Sequence, residues 1–245
     1  MNRARLGFNV DHIATVRQAR LAFWPDPVGI AAMAEVAGAE QITLHLREDR
    51  RHVQERDYVL LRETKKGLLN LEMAATSAML DLVLKQPPDM VTLVPERRQE
   101  LTTEGGLDVV AHQEELSKAV QLLRERGVVV SLFVDPTPQQ LDASSKIGAQ
   151  RVELHTGCYC NETHVQLRLK EQQRIHEAAR HALQLGLGCA AGHGLDYANV
   201  APIAAMAEID ELNIGHSIVA RALYVGIERA IKDMLQCMLR PSDKP

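Results

Sequence analysis

Aromatic residues are scarce in this chain: one Trp, four Tyr and three Phe make up 3% of 245 residues. A core of normal size must therefore come from Ala, Val, Ile, Leu and Met, within a hydrophobic fraction of 46%. That fraction is ordinary for a globular chain and excludes the disordered and fibrous classes. Cysteine is also sparse: Cys158, Cys160, Cys189 and Cys237 lack C-x-x-C spacing and are too few for a disulfide scaffold. No apolar run approaches the ~18 residues of a membrane-spanning helix. The opening Met1-Asn2-Arg3-Ala4-Arg5 leads into a mixed segment with Asn9, Asp11 and His12, not into the apolar stretch of a signal peptide. Neither sign of charge dominates, since 28 Lys and Arg face 32 Asp and Glu for a net −4. Such a balance gives no bulk attraction to nucleic acid or an anionic membrane. The expectation is a cytoplasmic enzyme-sized chain with neither of those partners.

Missing motifs narrow the chemistry. None of the eight lysines (65, 66, 85, 118, 146, 170, 232, 244) falls at a strand exit, which argues against a lysine Schiff base. H-x-H after the first strand and H-E-x-x-H are both absent, which weakens a zinc hydrolase reading. No G-x-G-x-x-G follows a strand, so a dinucleotide is not indicated. Cys158-Tyr159-Cys160 is too closely spaced for a tetrahedral metal pair and reads as a loop with buried small thiols. The chemistry must rest on His, Glu and Asp, with no metal.

What the sequence does contain is alternation between short apolar β-type runs and longer amphipathic ones. Strands are expected at 6–10, 41–46, 68–73, 90–94, 128–134, 151–155, 188–191 and 211–214. Helices are expected at 27–37, 57–65, 76–85, 113–126, 138–147, 165–185, 200–206 and 217–239, with a further helical stretch at 12–20. Eight β-then-α units over 1–245, without a Gly/Ser linker, match the arithmetic of one α/β (β/α)8 barrel domain with additional helices. A doubly wound open sheet shows the same alternation and is the structural alternative.

Polar groups gather where those strands end. The exits carry Asn9-Val10-Asp11-His12, His45-Leu46-Arg47, Asn70-Leu71-Glu72, Pro95-Glu96-Arg97-Arg98, Asp135, Glu153-Leu154-His155, Gly192-His193-Gly194 and Asn213-Ile214-Gly215-His216. In a barrel these exits share one mouth, where active sites are built. Residues two apart on a strand share a face, which pairs Thr43 with His45, Asn70 with Glu72 and Glu153 with His155. Partly buried carboxyls such as Glu72 and Glu153 suit acid, base or charge-stabilising work. Gly192-His193-Gly194 and Gly215-His216-Ser217 each precede a helix, where small residues let backbone N–H groups approach a phosphate. Arg20, Arg47, Arg50, Arg51 and His52 form a second cationic cluster, and guanidinium matches phosphate geometry. A solvated charge run is the plainer reading of Arg50 or Arg51.

Several of these segments, in order, resemble the pyridoxine 5'-phosphate synthase family. They include 9–15, the octet His45-Leu46-Arg47-Glu48-Asp49-Arg50-Arg51-His52, 70–74, 93–100, 102–108, 153–159, 191–195 and 211–216. The resemblance spans almost the whole chain. It implies a (β/α)8 barrel without metal or organic cofactor, assembled as a homo-octamer built from dimers. It also implies a transferase-class condensation of 1-deoxy-D-xylulose 5-phosphate with 3-amino-2-oxopropyl phosphate. The products are pyridoxine 5'-phosphate, phosphate and water, in vitamin B6 biosynthesis. Carried over residue by residue, His45 and Glu72 would accept protons, His193 would donate one, and Glu153 would stabilise transition-state charge. Asn9, Arg20, Gly194, Gly215 and His216 would hold the amino ketone phosphate. Asp11, His12, Arg47, His52 and Thr102 would hold the deoxyxylulose phosphate, and the polar loop 102–108 would close as a lid. The chain departs from the family pattern at Ala190, Trp24 and Cys160, none of which carries a role. Three rivals share parts of this pattern: a phosphosugar isomerase or epimerase barrel with one anion site, a divalent-metal hydrolase using Asp11, His12, His45 and His193, and a non-catalytic interaction barrel.

Overall fold

The computed structural model describes residues 3–96 and 105–240. Eight parallel strands pair in sequence order and close into a barrel. They are β1 (Arg5–Asn9), β2 (Gln41–His45), β3 (Leu68–Met73), β4 (Met90–Leu93), β5 (Val129–Val134), β6 (Arg151–His155), β7 (Gly188–Gly192) and β8 (Glu211–Ile214). The open-sheet alternative is excluded by the β1–β8 seam, which pairs Arg5 with Glu211 and Gly7 with Asn213.

The first helices among the described residues are α1 (Asp11–Gln18), α2 (Pro27–Ala37), α3 (Glu55–Thr64), α4 (Ser77–Lys85), α5 (Gln113–Glu125) and α6 (Pro138–Lys146). The rest are α7 (Gly157–Asn161), α8 (Val165–Gln184), α9 (Val200–Ala204), α10 (His216–Val225) and α11 (Ile227–Cys237). The single helix expected over 217–239 is two, because Gly226 takes φ +80° between α10 and α11. The 157–161 segment is a short helix rather than a loop, with Cys158 exposed and Cys160 half-buried. Caps fix other boundaries: the Asp26 carboxylate accepts Val28 N–H at 3.1 Å ahead of Pro27, and Gly38 ends α2 at φ +117°.

Strand alternation sorts the side chains into two shells. Leu6, Phe8, Ile42, Leu44, Leu69, Leu71, Val91, Leu93, Leu132 and Leu154 are fully buried among the helices. Each contributes about 1.5–3 kcal/mol of transfer free energy. The intervening residues face the lumen and are largely polar: Gln41, Thr43, Asn70, Thr92, Ser131, Glu153, Glu211 and Asn213 are all buried. Many of them bond one another: Thr43 Oγ1 donates to Asn213 Oδ1 at 2.9 Å and Thr92 Oγ1 to Asn70 Oδ1 at 2.9 Å, while Gln41 Oε1 and Asn70 Nδ2 find no partner among the described residues.

Two strand glycines make the longer of these links possible. Thr43 on β2 reaches Asn213 on β8 past Gly7 of the strand between them, where a Cβ would strike the Asn213 side chain. Asn213 in turn reaches Glu153 on β6 past Gly192 of β7, where a Cβ would strike the Glu153 carboxyl. Gly7→Ala should therefore break the lumen network at the seam. Overpacking of this kind costs about 1–3 kcal/mol, and in a chain of this length each kcal/mol lowers Tm by roughly 2–4 °C. Calorimetry of the variant checks this.

Candidate active site

A cavity of about 790 Å³ opens at the C-terminal ends of the strands. Its lining includes His45, Glu72, Glu153 and His193, together with Asn9, Asp11, His12, Arg47, His52, Gly194, Gly215 and His216. Twelve of the fourteen residues singled out from the sequence thus share one mouth. Arg20 does not: it is exposed on the turn after α1 and is absent from the lining. Thr102, with 103 and 104 of the proposed lid loop, lies outside the described residues. Of the arginine run, Arg51 joins the lining, whereas Arg50 turns back to Glu55 at 2.8 Å and to the Arg47 carbonyl.

The floor of the mouth is built from β1 to β3. His45 and Glu72 are register partners. Asp11 accepts the His45 backbone N–H at 2.7 Å and the Asn9 amide at 3.0 Å, so its carboxylate is oriented on both sides. Asp11, His45 and Glu72 each place one donor atom within 4.8 Å of the others. Such spacing could suit a cation, but Asp11 is committed to His45 and Asn9, and His45 Nε2 is committed to Glu96 Oε1 at 2.9 Å. The loop carrying His52 is held by Arg17, buried after Asp11, whose guanidinium bonds both Asp57 oxygens at 2.6 and 2.7 Å and the His52 carbonyl at 3.2 Å.

The opposite wall comes from β6 to β8. Glu153 is buried, and Asn213 Nδ2 donates to its carboxyl at 2.8 Å. His193 and Gly194 both take positive φ, +79° and +85°. Strain at a non-glycine residue in that region clusters at functional sites, and the single Thr156 hydroxyl proton, shared between the Gly192 and His193 carbonyls at 2.7 and 2.6 Å from Oγ1, anchors this one. Gly215 caps α10 and lies so close to Asn9 that a Cβ would sit 2.8 Å from its carbonyl oxygen. The N-terminus of α10 therefore opens into the cavity beside His193, Gly194 and His216. The His12 ring stands edge-on to His216 at 5.0 Å. On the other side, Arg47 and Arg51 both approach Asp49, Arg47 Nε at 3.5 Å. Hydrogen bonds from Arg51 hold the Asp49 carboxyl down at about 2.

Protonation in this mouth is set mainly by burial. Burial, with the charges of Glu153 and Asp11, pushes Glu72 well above the usual carboxylate range. Burial, with Glu211, raises Glu153 to about 8 against the opposing hydrogen bond from Asn213. Burial, with His155 and His12, drops His193 to about 4. Burial likewise lowers His12 and His52, although Asp11 pulls the other way on both. Near neutral pH Glu153 is therefore protonated and His193 uncharged, and Glu72, His12 and His52 are displaced toward their neutral forms.

Two residues that matter here carried no sequence-level role. Asn213 bonds Glu153, and Glu96 bonds His45. Their positions at strand exits were the available signal; their partners lie on other strands.

A profile of the family described as "Pyridoxal phosphate biosynthesis protein PdxJ" matches residues 6–240. A pyridoxine 5'-phosphate synthase of Pelobacter propionicus is 54% identical over 233 residues, covering 95% of this chain and 98% of its own. One from Geobacter sulfurreducens is 55% identical over 232 residues, covering 95% and 97%. Among solved structures, the BexX/CysO complex of Amycolatopsis orientalis superposes with a TM-score of 0.63 at 13% identity, over 96% of this chain and 88% of that one. That likeness concerns the barrel fold alone.

The raised Glu153 pKa makes stability depend on pH. In the unfolded chain this carboxyl ionises near 4.5, in the folded chain near 8. Its contribution is complete below the unfolded value and is lost as pH rises through the folded one. Glu153→Gln stays neutral throughout. The Tm of the variant relative to the parent should therefore be more favourable at about pH 8.5 than at about pH 5, measured by thermal denaturation at both.

Proposed function

Because the chain belongs to the pyridoxine 5'-phosphate synthase family, we propose that its mouth carries out the condensation of 1-deoxy-D-xylulose 5-phosphate with 3-amino-2-oxopropyl phosphate. The products are pyridoxine 5'-phosphate, phosphate and water, and the reaction is of the transferase class. What supports this reading is that one cavity gathers the start of α10 with Gly194, Gly215 and His216, the guanidinium-bearing loop of Arg47 and Arg51, and carboxyls and imidazoles between them. An isomerase or epimerase with one phosphorylated substrate needs only one anion site.

The amino ketone phosphate is assigned to Gly194, Gly215 and His216, where backbone N–H groups and the α10 dipole favour an anion. The deoxyxylulose phosphate is assigned to Asp11, His12, Arg47 and His52, with Arg47 offering two-point contact to phosphate. An imine between the substrates needs no enzyme lysine. Its protonated form brings positive charge against Glu72 and Glu153, and that charge lowers the pKa of both. Glu72, displaced toward its protonated form by burial, is drawn toward a carboxylate able to accept a proton when the cationic intermediate is present. Glu153 answers the same charge by ionising beside it. His193 changes in the opposite sense: a bound phosphate raises its pKa and equips it to donate. His45 remains the second proton acceptor.

Homo-octameric assembly from dimers in the cytoplasm is part of the proposal. Arg20 stands among exposed apolar residues, Leu21, Phe23 and Trp24, and we assign it to the amino ketone phosphate across a contact between copies.

Purified protein incubated with both substrates should yield the pyridinium absorbance of the product. Glu72→Gln, which keeps the shape but cannot take the proton, should fold and lose about 10²–10⁴-fold in turnover. Near parental turnover of the folded variant would remove Glu72 from the chemistry.

Arg47→Ala should weaken the deoxyxylulose phosphate by roughly tenfold to a hundredfold, the equivalent of ~1.5–3 kcal/mol for a charge-assisted hydrogen bond. Arg47→Lys should recover only part of the loss, and the amino ketone phosphate should bind almost unchanged. Calorimetric titration of each substrate decides it: equal weakening of both would mean one shared anion site.

A further inference from the structure

The centre of the site contains a carboxylate that does not line the cavity. Glu96 follows β4, and its side chain is only 6% exposed, as is the 7% of the His45 side chain it meets. Glu96 Oε1 lies 2.9 Å from His45 Nε2. The same carboxylate accepts the Glu48 backbone N–H at 3.1 Å through Oε2 and the Ala74 backbone N–H at 3.3 Å through Oε1. It therefore ties together the chain leaving β2, β3 and β4, directly behind the register pair His45 and Glu72.

Hydrogen-bond direction follows from these partners. A backbone N–H can only donate, so both oxygens of Glu96 are acceptors. Its carboxyl lies below the usual range: burial acts upward and is outweighed by the bond from His45 and its charge, with Glu48 N–H and Arg47 adding to the same side. An ionised acceptor at 2.9 Å requires the proton on Nε2 of the imidazole. With Nε2–H committed to Glu96, the nitrogen left with a lone pair is Nδ1.

We infer that Glu96 is a positioning residue for His45, fixing the ring so that Nε2–H faces the carboxylate and Nδ1 is the atom that takes a proton from substrate. The inference rests on the reading of His45 as a base. Among the described lining residues His45 is present and Glu96 is not, so Glu96 acts through the imidazole. The arrangement follows the physical logic of a carboxylate-held histidine, in which the anion selects the tautomer and stabilises the imidazolium formed on proton uptake. Among the described residues, the other charged or titratable groups facing this pair are Asp11 from the β1 exit, Glu72 on β3 and His52 beside His45, and Arg47 and Arg51 beside Glu96.

Two readouts test this. Histidine labelled with ¹⁵N reports the tautomer, with the His45 signal assigned by its disappearance in His45→Asn. At mildly alkaline pH the parent protein should show His45 as the Nε2–H tautomer, and Glu96→Gln should lose that preference, because an amide can present N–H to the ring. In steady-state assays Glu96→Gln should lose about 10²-fold in kcat with the KM of both substrates within about twofold. The acidic limb of its kcat profile should move to lower pH by about one unit, since removing an adjacent anion disfavours imidazolium. Glu96→Asp, which keeps the charge, should retain an acidic limb at the parental position, and it serves if the amide variant does not fold. A parental His45 in the Nδ1–H form overturns the positioning role while leaving the base assignment untouched. So does a folded Glu96→Gln protein with parental kcat, or one whose loss lies in KM. Parental turnover in folded His45→Asn removes the base itself, and the inference with it.

Discussion

The interior of a closed eight-stranded barrel must be filled, and here it is filled with groups that demand partners. Asn213 is the residue on which that demand converges. Its Oδ1 accepts from Thr43 at 2.9 Å and from Gln41 at 3.3 Å; its Nδ2 donates to Glu153 at 2.8 Å and to Glu211 at 3.2 Å. Glu211, fully buried, is met by Gln41 at 2.8 Å and by Arg5 at 3.1 Å from the strand entries. Leaving one such group unsatisfied costs about 1–3 kcal/mol, so each side chain in this ladder is stabilised by its neighbours rather than on its own account. The ladder runs from the charged base of the barrel to the carboxyl of Glu153 at the mouth. The active-site end is therefore as rigid as the lumen that supports it.

That support also determines the electrical state of the mouth. Glu72 and Glu153 are raised and His12, His52 and His193 lowered by the same cause, removal from water. Buried groups of opposite type move toward neutrality together. The proton state of these five groups is therefore set to respond to the charge of what binds beside them. An anion bound beside these groups would restore protons to imidazole, and a cation would withdraw them from carboxyl. Substrate binding and the distribution of protons are then one equilibrium, linked in both directions.

How much of this could be read from the sequence depends on the range of the information. Strand alternation encodes which face a residue occupies. Eight strands, their order and the polar face of β2, β3 and β6 were accordingly legible, and twelve named residues meet in one cavity. The break at Gly226 was not, because a glycine inside an amphipathic run is often tolerated, and only its φ of +80° ends the helix. The pairing of His45 with Glu96, 51 positions away, and of Glu153 with Asn213, 60 away, depends on register and closure. No local pattern carries that. Arg20 illustrates the converse: a motif match assigns it to the site, while the fold of a single chain leaves it exposed.

The β1–β8 seam has a consequence for how the molecule comes into being. Arg5 and Glu211, paired across it, are 206 positions apart, and Asn213 follows the seven other strands in chain order. Until β8 has emerged from the ribosome, Gln41, Thr43 and Glu153 can be surrounded by their strands and still lack the amide that satisfies them. A nascent chain carrying seven strands therefore has a polar hollow open to water rather than a core ready to consolidate. β8 acts as a keystone, and the turn of α10 that lines the mouth follows it directly. The mouth is then complete only in a chain translated through β8 and α10, so shorter products lack both the Asn213 amide and the α10 turn that line it.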